Sequence, residues 1–513
     1  MSLDLPHRPP APDLSAGRSS RAAMDATAHF VLVPLMAQGH TIPMVDMAHL
    51  LASRGVHVTF ITTPANASRI DSNIQRPRGS GLPIRFVSLR FPCEEFGLPQ
   101  GCENLDSVTS REHAVAFLHA CRTLRGPLTS ILRQQNPPPS CVISDTMQYW
   151  TGDMARELGI PRLTFTGSGG LFHLFRHIFV QNKSYDKVNN GAESVVLPGL
   201  PHHIELTRAQ IPGSLFLPGM AKFREEMMEE DCRSDGVVVN TFRDLEALCI
   251  DQYQEIIGKK VWTIGPMFLC NRDAAYIATR GNKASVDQEQ CLRWLDSMQP
   301  SSVIYVSFGS LARPSPSQVI EIGLGLEASN CPFLWVIKAG NRSAEVETWL
   351  SQGFEERTSS RGLIIRGWAP QVMILSHPAI GGFMTHCGWN SLLEGIASGL
   401  PMITWPHFAE QFLNEKLIVE VLRTGVAIGV KTITPWTADN AEVLVKKDDM
   451  VRAVSRLMDE GEEGEARRNR ARELGHKATA AVEEGGSSCE NVTLLIQQIQ
   501  ARMKLGPMNE GLQ

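Results

Sequence analysis

The sequence predicts an α/β protein with two doubly wound domains that face each other across a cleft. With 513 residues, the chain is too long for one ordinary hydrophobic core. Short β-rich apolar runs alternate with segments of helical periodicity, a pattern typical of parallel sheets covered by helices. The alternation occurs as two successive series, separated by a polar segment from Asn271 to Gln290. Ligands of such folds bind at the carboxyl ends of the strands, so the site is expected in the cleft.

The predicted strands define the domain boundaries. In the first series they are Phe30–Leu35, Val56–Thr62, Ile84–Leu89, Ser140–Ser144, Arg162–Phe165, Gly236–Asn240 and Lys260–Ile264. In the second they are Val303–Phe308, Phe333–Ile337, Leu363–Arg366, Gly382–Thr385 and Pro401–Trp405. We therefore expect a first domain at 28–266, a linker at 267–290 and a second domain at 291–489. An amphipathic helix at 490–503 is expected to pack back toward the first domain.

Both ends of the chain differ from the domains in composition. Residues 1–27 hold four Pro with several Ser and Arg and have no apolar stretch of a signal peptide. They are predicted to be a disordered leader, with Met24 as an alternative start. Residues 504–513 are predicted to be a polar tail.

Composition excludes several classes of function. A net charge of -5 gives no electrostatic reason to expect a nucleic-acid partner. The sequence has no run of 18 apolar residues, so no membrane-spanning helix is predicted and stable membrane insertion is not expected. The 11 cysteines include no C-x-x-C and no metal-ligand spacing. They favour reduced thiols in the cytosol. A monomer is the default expectation.

A glycine motif in the second half is a decoy. Gly323, Gly325 and Ala328 fit the dinucleotide fingerprint G-x-G-x-x-A. That fingerprint requires a strand immediately before it, whereas Gln318–Ile322 continues a helical pattern. The sequence therefore gives little support to a dehydrogenase.

The segment Trp368–Gln411 contains the elements of a nucleotide site. An apolar strand ends at His386, small or polar residues follow to Ser391, and a helical pattern opens at Leu392. The exposed N–H groups of such a helix start bind anions, and Gly388 allows close backbone approach. Three side chains share one side of this entry at a spacing of four, namely His386, Asn390 and Glu394. Trp368 offers a flat face for stacking a base. Each residue alone is more often structural, but together they form base platform, phosphate donors and ribose acceptor.

This segment resembles the signature box of plant UDP-dependent glycosyltransferases of secondary metabolism, within family 1 of the glycosyltransferases. The resemblance extends to the branch that acts on flavonoids, terpenoids, steroids and hormones. It is carried by VPLMAQGHTIPMVDMAHLLA, PPSCVISD, LPGLPHHIELTRAQIP, WTIGP, RGNKASVDQEQCLRWLD and VEEGGSS, and covers residues 29 to about 500. It implies the GT-B architecture, a UDP-sugar donor and a small hydrophobic hydroxylated acceptor.

The resemblance also implies residue roles. Trp368 would stack on uracil, with Ala369 and Gln371 beside the nucleoside. The phosphates would be held by His386, Gly388, Asn390 and Ser391 with help from Ser310, and the ribose by Glu394. Trp389, Glu410 and Gln411 would contact the sugar hydroxyls. In the family, Gln at the last position is associated with glucose, although other UDP-sugars stay open.

His40 and Asp145 are the predicted catalytic pair. Each follows a strand of the first series, with His40 in a loop before a helix predicted to begin near Ile42, so both are expected at the cleft. His40 suits general-base work near neutral pH, and Asp145 is the natural acceptor for its other ring N–H. The family places the same roles on these positions. The alternative is a purely structural role, with His40 as a histidine at the start of a helix and Asp145 as the N-cap of the next helix. No D-x-D pair is present, so helix dipole and side chains are expected to hold the diphosphate without a metal or other cofactor.

The acceptor side is less defined. Thr166 is predicted to contact the sugar, and Phe91, Phe96 and Phe172 to line the acceptor pocket, although those three also fit a core. The favoured function is an inverting UDP-glucose-dependent O-glucosyltransferase. The alternatives are another UDP-sugar donor, or a nucleotide-sugar binding protein without catalysis.

Overall fold

A computed structural model describes residues 27–71, 74, 81–181, 194–196, 199–212, 220–271, 273–282, 284–338, 342–434 and 443–505. The predicted leader, apart from residue 27, lies outside these residues, as does the tail beyond 505.

The first parallel sheet lies in the first half of the chain. Its strands are β1 (His29–Val33), β2 (His57–Thr62), β3 (Ile84–Ser88), β4 (Cys141–Asp145), β5 (Arg162–Thr166), β8 (Gly236–Val239) and β9 (Val261–Thr263), and a separate antiparallel hairpin is formed by β6 (Ser194–Val196) and β7 (Glu205–Thr207). The strand order is β3-β2-β1-β4-β5-β8-β9. Because β1 pairs with both β2 and β4, the order in which the chain adds strands to the sheet reverses beside β1. Ligands of doubly wound sheets bind at such a reversal.

The second parallel sheet has six strands. They are β10 (Val303–Ser307), β11 (Phe333–Ile337), β12 (Gly362–Arg366), β13 (Ile380–Thr385), β14 (Met402–Thr404) and β15 (Gly425–Ala427), in the order β12-β11-β10-β13-β14-β15. The edge strand β15 and the hairpin were not predicted, since each of these strands has only three residues, too few to establish a pattern.

Helices cover the faces of both sheets. Those of the first half are α1 (Gln38–Ala52), α2 (Pro64–Arg69), α3 (Arg111–Arg122), α4 (Arg125–Arg133), α5 (Thr151–Leu158), α6 (Gly170–Gln181), α7 (Ala221–Arg233) and α8 (Arg243–Ile257). The second half contains α9 (Ala274–Thr279), α10 (Gln288–Asp296), α11 (Pro316–Ala328), α12 (Ala344–Trp349), α13 (Glu355–Thr358), α14 (Gln371–Leu375), α15 (Trp389–Ala397), α16 (Gln411–Lys416), α17 (Lys447–Leu457), α18 (Glu462–Val482) and α19 (Ser487–Leu505). The decoy glycines lie inside α11, as the helical pattern indicated.

Apolar strands make the core, and the last helix joins it. The central strands β1, β4, β10 and β13 are buried along their whole length, as expected for strands with helices on both faces. Helix α19 packs Val492, Leu495 and Ile499 into the core of the first sheet. Its Ser488 hydroxyl also donates to the Gly265 carbonyl at 2.6 Å. Helix α19 is therefore bound to the first sheet.

Two helices begin earlier than the sequence indicated, which changes where the site residues lie. Helix α1 begins at Gln38, not near Ile42, so His40 lies in its first turn and not in a loop. Helix α15 begins at Trp389, not at Leu392, so the predicted phosphate-binding residues are its first turn. In both places the small or polar residues of the first turn hide the helical periodicity.

Candidate active site

A cavity of about 460 Å³ lies between the two sheets and opens to solvent. Its walls include every residue predicted for the donor, which are Ser310, Trp368, Ala369, Gln371, His386, Gly388, Trp389, Asn390, Ser391, Glu394, Glu410 and Gln411. From the first domain His40, Thr166 and Phe172 face the same space. The fold thus brings together residues more than 200 positions apart in the sequence.

His40 and Asp145 form a hydrogen-bonded pair at the edge of this cavity. His40 Nδ1 lies 2.5 Å from Asp145 Oδ2. Asp145 is fully buried at the end of β4, and its other oxygen accepts the Met147 backbone N–H at 2.9 Å. The His40 side chain remains 29% exposed toward the cavity. Because Nδ1 is held by a carboxylate, the neutral ring carries its hydrogen on Nδ1 and presents the lone pair of Nε2.

The electrostatics of His40 result from opposing effects. Burial disfavours the imidazolium. The charge and hydrogen bond of Asp145, together with the charge of Glu410, outweigh burial and raise the pKa of His40 above its ordinary value. A base strengthened in this way accepts a proton more readily in the transition state.

Two glycines make room for the imidazole of His386. A Cβ on Gly309 or on Gly388 would lie 2.3 Å from atoms of this ring. Burial, with smaller effects of His407 and Lys338, lowers the pKa of His386 to about 3. The ring is therefore neutral at physiological pH and can donate a hydrogen bond without carrying a charge.

The turn before α15 is held in an uncommon conformation. Cys387 has a φ of 64°, in the left-handed region that residues other than glycine rarely adopt. Asn414 Nδ2 fixes this turn by donating to the Cys387 carbonyl at 2.9 Å. The chain then enters α15, whose first backbone N–H groups have no partner within the helix. A helix start of this kind, rich in N–H donors, binds an anion such as a diphosphate.

Trp368 is held by the segment predicted as a linker. Two hydrogen bonds join Ser285 to Trp368. The Ser285 backbone N–H donates to the Trp368 carbonyl at 2.8 Å, and the Ser285 hydroxyl accepts from the Trp368 backbone N–H at 2.9 Å. Gly281 packs on the indole, because a Cβ at that position would lie 2.4 Å from the ring. The predicted linker is therefore more than an interdomain connection, because it contains α9 and holds Trp368, the predicted platform for uracil.

A buried polar network joins the predicted ribose and nucleoside contacts. Gln371 Nε2 donates to Glu394 Oε2 at 2.7 Å and to the Ser391 hydroxyl at 3.0 Å. Arg280 donates to the other oxygen of Glu394 and also contacts Asp46. The sequence reading missed Arg280 and Asp46, since neither belongs to the signature box.

Trp389 and Asn390 both bond to the first domain. The Trp389 indole N–H donates to the Asn240 carbonyl at 2.7 Å, and the side chain is 2% exposed. The indole N–H of Trp389 is therefore not free for the predicted contact with the sugar, because it bonds to the first domain. Asn390 Nδ2 donates to the Gly39 carbonyl at 2.6 Å, one residue before His40.

The end of the signature box has defined geometry. Gln411 Oε1 accepts the backbone N–H groups of His407 and Phe408 at 2.8 and 3.1 Å. The Gln411 amide is thereby oriented, and its NH2 group is left to donate elsewhere. Burial raises the pKa of Glu410. The preceding Ala409 has a φ of 53°, a second left-handed residue beside the site.

The predicted acceptor contacts need correction. Phe91 packs on Phe117 in the core of the first domain at 5.1 Å between ring centroids, and Phe96 packs against the same core. Neither lines the cavity, whereas Phe172 does. The sequence could not separate them, because a Phe after a strand suits either place.

The first-domain wall of the cavity is mainly apolar. Its apolar side chains include Leu118, Met147, Phe172, Met220, Phe223 and Met227. Methionine is adaptable in shape, so such a wall accommodates varied apolar ligands. Thr166 also lines the cavity, but its hydroxyl is already hydrogen-bonded to His173 at 2.8 Å.

Lys338, directly after β11, is an amine on the donor side of the cavity that the sequence analysis did not identify. It lines the cavity and donates to the Ala312 carbonyl at 3.3 Å. Burial and the nearby Arg313 lower the pKa of Lys338 to about 7. Its sequence signal was one lysine after an apolar strand, which is common at a surface.

The described residues lack two kinds of feature, a metal-binding cluster and a membrane-spanning helix. They contain no group of three or more His, Cys, Asp or Glu placed to hold a metal ion. None of their helices has the length and apolar character needed to cross a membrane.

Comparisons with known proteins identify the family of this chain. Residues 261–457 match the family model described as UDP-glucoronosyl and UDP-glucosyl transferase. The chain is 46% identical to UDP-glycosyltransferase 73C6 of Arabidopsis thaliana, over 92% of this chain and 96% of the relative. It is 49% identical to UDP-glycosyltransferase 73E1 of Stevia rebaudiana, with the same shares covered.

Solved structures show the same architecture. UGT73P12 of Glycyrrhiza uralensis, complexed with glycyrrhetinic acid 3-O-monoglucuronide, aligns with a TM-score of 0.85 and 35% identity, covering 94% of this chain and 97% of that chain. UGT71G1 of Medicago truncatula, complexed with UDP-glucose, aligns with a TM-score of 0.74 and 25% identity, covering 93% and 99%. The chain therefore belongs to the plant UDP-glycosyltransferases and is a glycosyltransferase enzyme of the two-domain GT-B fold.

Proposed function

We propose that this enzyme transfers glucose from UDP-glucose to a hydroxyl group of a small lipophilic plant metabolite, with inversion at the anomeric carbon. One observation carries the proposal. The hydrogen-bonded His40–Asp145 pair opens onto the same cavity as the complete predicted donor site. A binding protein without catalysis would need no such pair, so the geometry favours transfer.

The proposed reaction is a single displacement. His40 Nε2 takes the proton of the acceptor hydroxyl while the acceptor oxygen forms a bond to the anomeric carbon. The bond from that carbon to the β-phosphate oxygen breaks, and its electron pair leaves with UDP. Asp145, 2.5 Å from Nδ1, stabilises the imidazolium that forms. The start of α15 and the neutral His386 donate to the departing diphosphate.

The donor assignment rests on three contacts. Trp368 would stack on uracil, Glu394 would accept from the ribose hydroxyls, and the Gln411 amide would donate to a sugar hydroxyl. The solved relative from Medicago truncatula, complexed with UDP-glucose, supports the nucleotide assignment. Because helix start and side chains supply the phosphate contacts, we propose that no metal takes part. A chelator is then expected to leave the rate unchanged.

The acceptor assignment rests on the apolar wall of the first domain. Its methionine and phenylalanine side chains favour a lipophilic body, with one hydroxyl directed at His40. Flavonoids, triterpenoids, steroids and hormones are the proposed classes. The eleven free thiols fit a reducing compartment, so we place the reaction in the cytosol.

The test is an acceptor panel with several donors. The protein is incubated with hydroxylated members of the four classes and with UDP-glucose, UDP-galactose, UDP-xylose or UDP-glucuronic acid. Mass spectrometry identifies the product, and NMR determines its linkage and anomeric configuration. We expect β-glucosides from UDP-glucose. A preference for another sugar would reject the donor assignment, and retained α-configuration would reject the mechanism.

A further inference from the structure

Arg280 lies between the two helices that carry the two halves of the site. Helix α1 carries His40, and helix α15 carries the predicted ribose contact Glu394. The Arg280 side chain is 11% exposed, with Nη2 2.9 Å from Asp46 Oδ2 on α1. Its Nη1 donates to Glu394 on α15. One guanidinium thus contacts a carboxylate of each domain.

Both ends of this bridge are fixed. Arg280 Nε lies 3.0 Å from Asp46 Oδ2, and the Tyr276 hydroxyl donates to Asp46 Oδ1 at 2.7 Å. Gln371 holds the other oxygen of Glu394. The Asp46 and Glu394 side chains are only 2% and 4% exposed. Both carboxylates are therefore largely shielded from water.

The charge balance makes the bridge sensitive to Arg280. Two buried carboxylates share one cation, so its removal leaves both without compensation. The planar guanidinium reaches both partners at once, whereas a lysine ammonium is a point charge that reaches one of them well.

We propose that Arg280 is a positioning residue that couples ribose binding at Glu394 to the placement of α1, and through α1 to His40. The inference rests on the proposed donor site. Ribose hydroxyls that bond to Glu394 would fix one end of the bridge, and Arg280 would transmit this restraint to Asp46. Asp46 lies six residues after His40 on the same helix.

A second contact between the helices determines where the effect is measured. Asn390 bonds to the Gly39 carbonyl, in the first turn of α1. Protection near residues 38–41 can therefore arise without Arg280. The later turns at 44–52, which contain Asp46, report on the bridge itself.

The experiment uses UDP as the probe and needs no acceptor. UDP affinity is measured by calorimetry, and amide hydrogen exchange at 44–52 is compared with and without UDP. The variants are Arg280→Met, Arg280→Lys and Asp46→Asn. Arg243→Met is the matched control, because Arg243 forms an exposed pair with Asp251 remote from the cavity.

We expect UDP to slow exchange at 44–52 in the natural chain and in Arg243→Met. Arg280→Met should weaken UDP binding by on the order of tenfold and lose the protection. Arg280→Lys should recover part of the affinity without the protection. Asp46→Asn should keep the affinity within about threefold and lose the protection, because Glu394 retains its cation.

Unchanged UDP affinity in Arg280→Met, or protection of 44–52 that persists in any of the three variants, would overturn the proposal. If Arg280→Met does not fold, Arg280→Lys and Asp46→Asn decide the question. A natural chain that does not bind UDP would instead reject the proposed donor site, so the two failures are distinguishable.

Discussion

Replacing Asp145 by Asn removes one charge from the catalytic pair and keeps its shape. The His40 ring and the carboxylate, joined by a bond of 2.5 Å, have charge centres about 4 Å apart, an interaction worth about 4 kcal/mol at the effective dielectric of a partly exposed site. That energy corresponds to a rate factor of about 10³. Only part of the imidazolium charge exists in the transition state, so we expect kcat to fall by about 10² to 10³.

The pH profile of this variant should change in a defined direction. Asp145 contributes to the raised pKa of His40, and the proposed base is the neutral ring. In the natural chain, activity should fall as the pH drops through that raised pKa. In Asp145→Asn the pKa of His40 is lower, so the acidic limb should move to lower pH while the plateau falls.

The assay is transfer to an acceptor identified by the panel, measured from pH 5 to 9 with saturating donor. Asp251→Asn is the control, because Asp251 also pairs with a cation but is exposed, and such a pair contributes about 0 to 1 kcal/mol. A plateau within about threefold of the natural rate, or an acidic limb that stays in place, would refute the role of Asp145.

Three further predictions concern the donor site. Gly388→Ala places a Cβ 2.3 Å from His386, so UDP binding measured by calorimetry should weaken strongly. The control is Gly126→Ala, which should bind UDP normally because nothing lies within 4 Å of a Cβ there. Equal UDP affinities of the two variants would contradict the prediction. Trp368→Ala should weaken UDP binding by about 1–3 kcal/mol through lost base stacking, and an unchanged Kd would exclude the uracil platform. Lys338, with its pKa lowered to about 7, should take up a proton when the diphosphate binds, so UDP affinity should fall as the pH rises above about 7. Calorimetry at pH 8 in buffers of different ionisation enthalpy should show this uptake and should not show it in Lys338→Met; uptake that is equal in both chains would contradict the assignment.

Most of the fold follows from local patterns in the sequence. Strands such as Phe333–Ile337 are buried on both faces and therefore appear as continuous apolar runs between turn residues. The strand Gly425–Ala427 lies at a sheet edge with only three residues, which is too short for a pattern. The helix starts at Gln38 and Trp389 were predicted too late, because small or polar residues in the first turns interrupt the helical periodicity.

The candidate site divides in the same way. All of the predicted donor residues except Ser310 lie in one continuous segment with a distinctive spacing, and the structure places them, with Ser310, on one cavity. Arg280 and Asp46 are 234 positions apart and meet only in the folded chain. The first-domain wall of the cavity contains apolar side chains that the sequence cannot distinguish from core, as the misplaced Phe91 shows. The commitment of the Trp389 N–H to Asn240 is likewise visible only in three dimensions.

The central claim is that His40 removes the proton of the acceptor, and one comparison tests it most directly. Glucoside formation from UDP-glucose is measured by mass spectrometry for the natural chain and for His40→Ala, with UDP affinity measured in parallel. We predict that His40→Ala binds UDP within about threefold of the natural chain while transfer falls by at least about 10². Full transfer activity in His40→Ala would contradict the account.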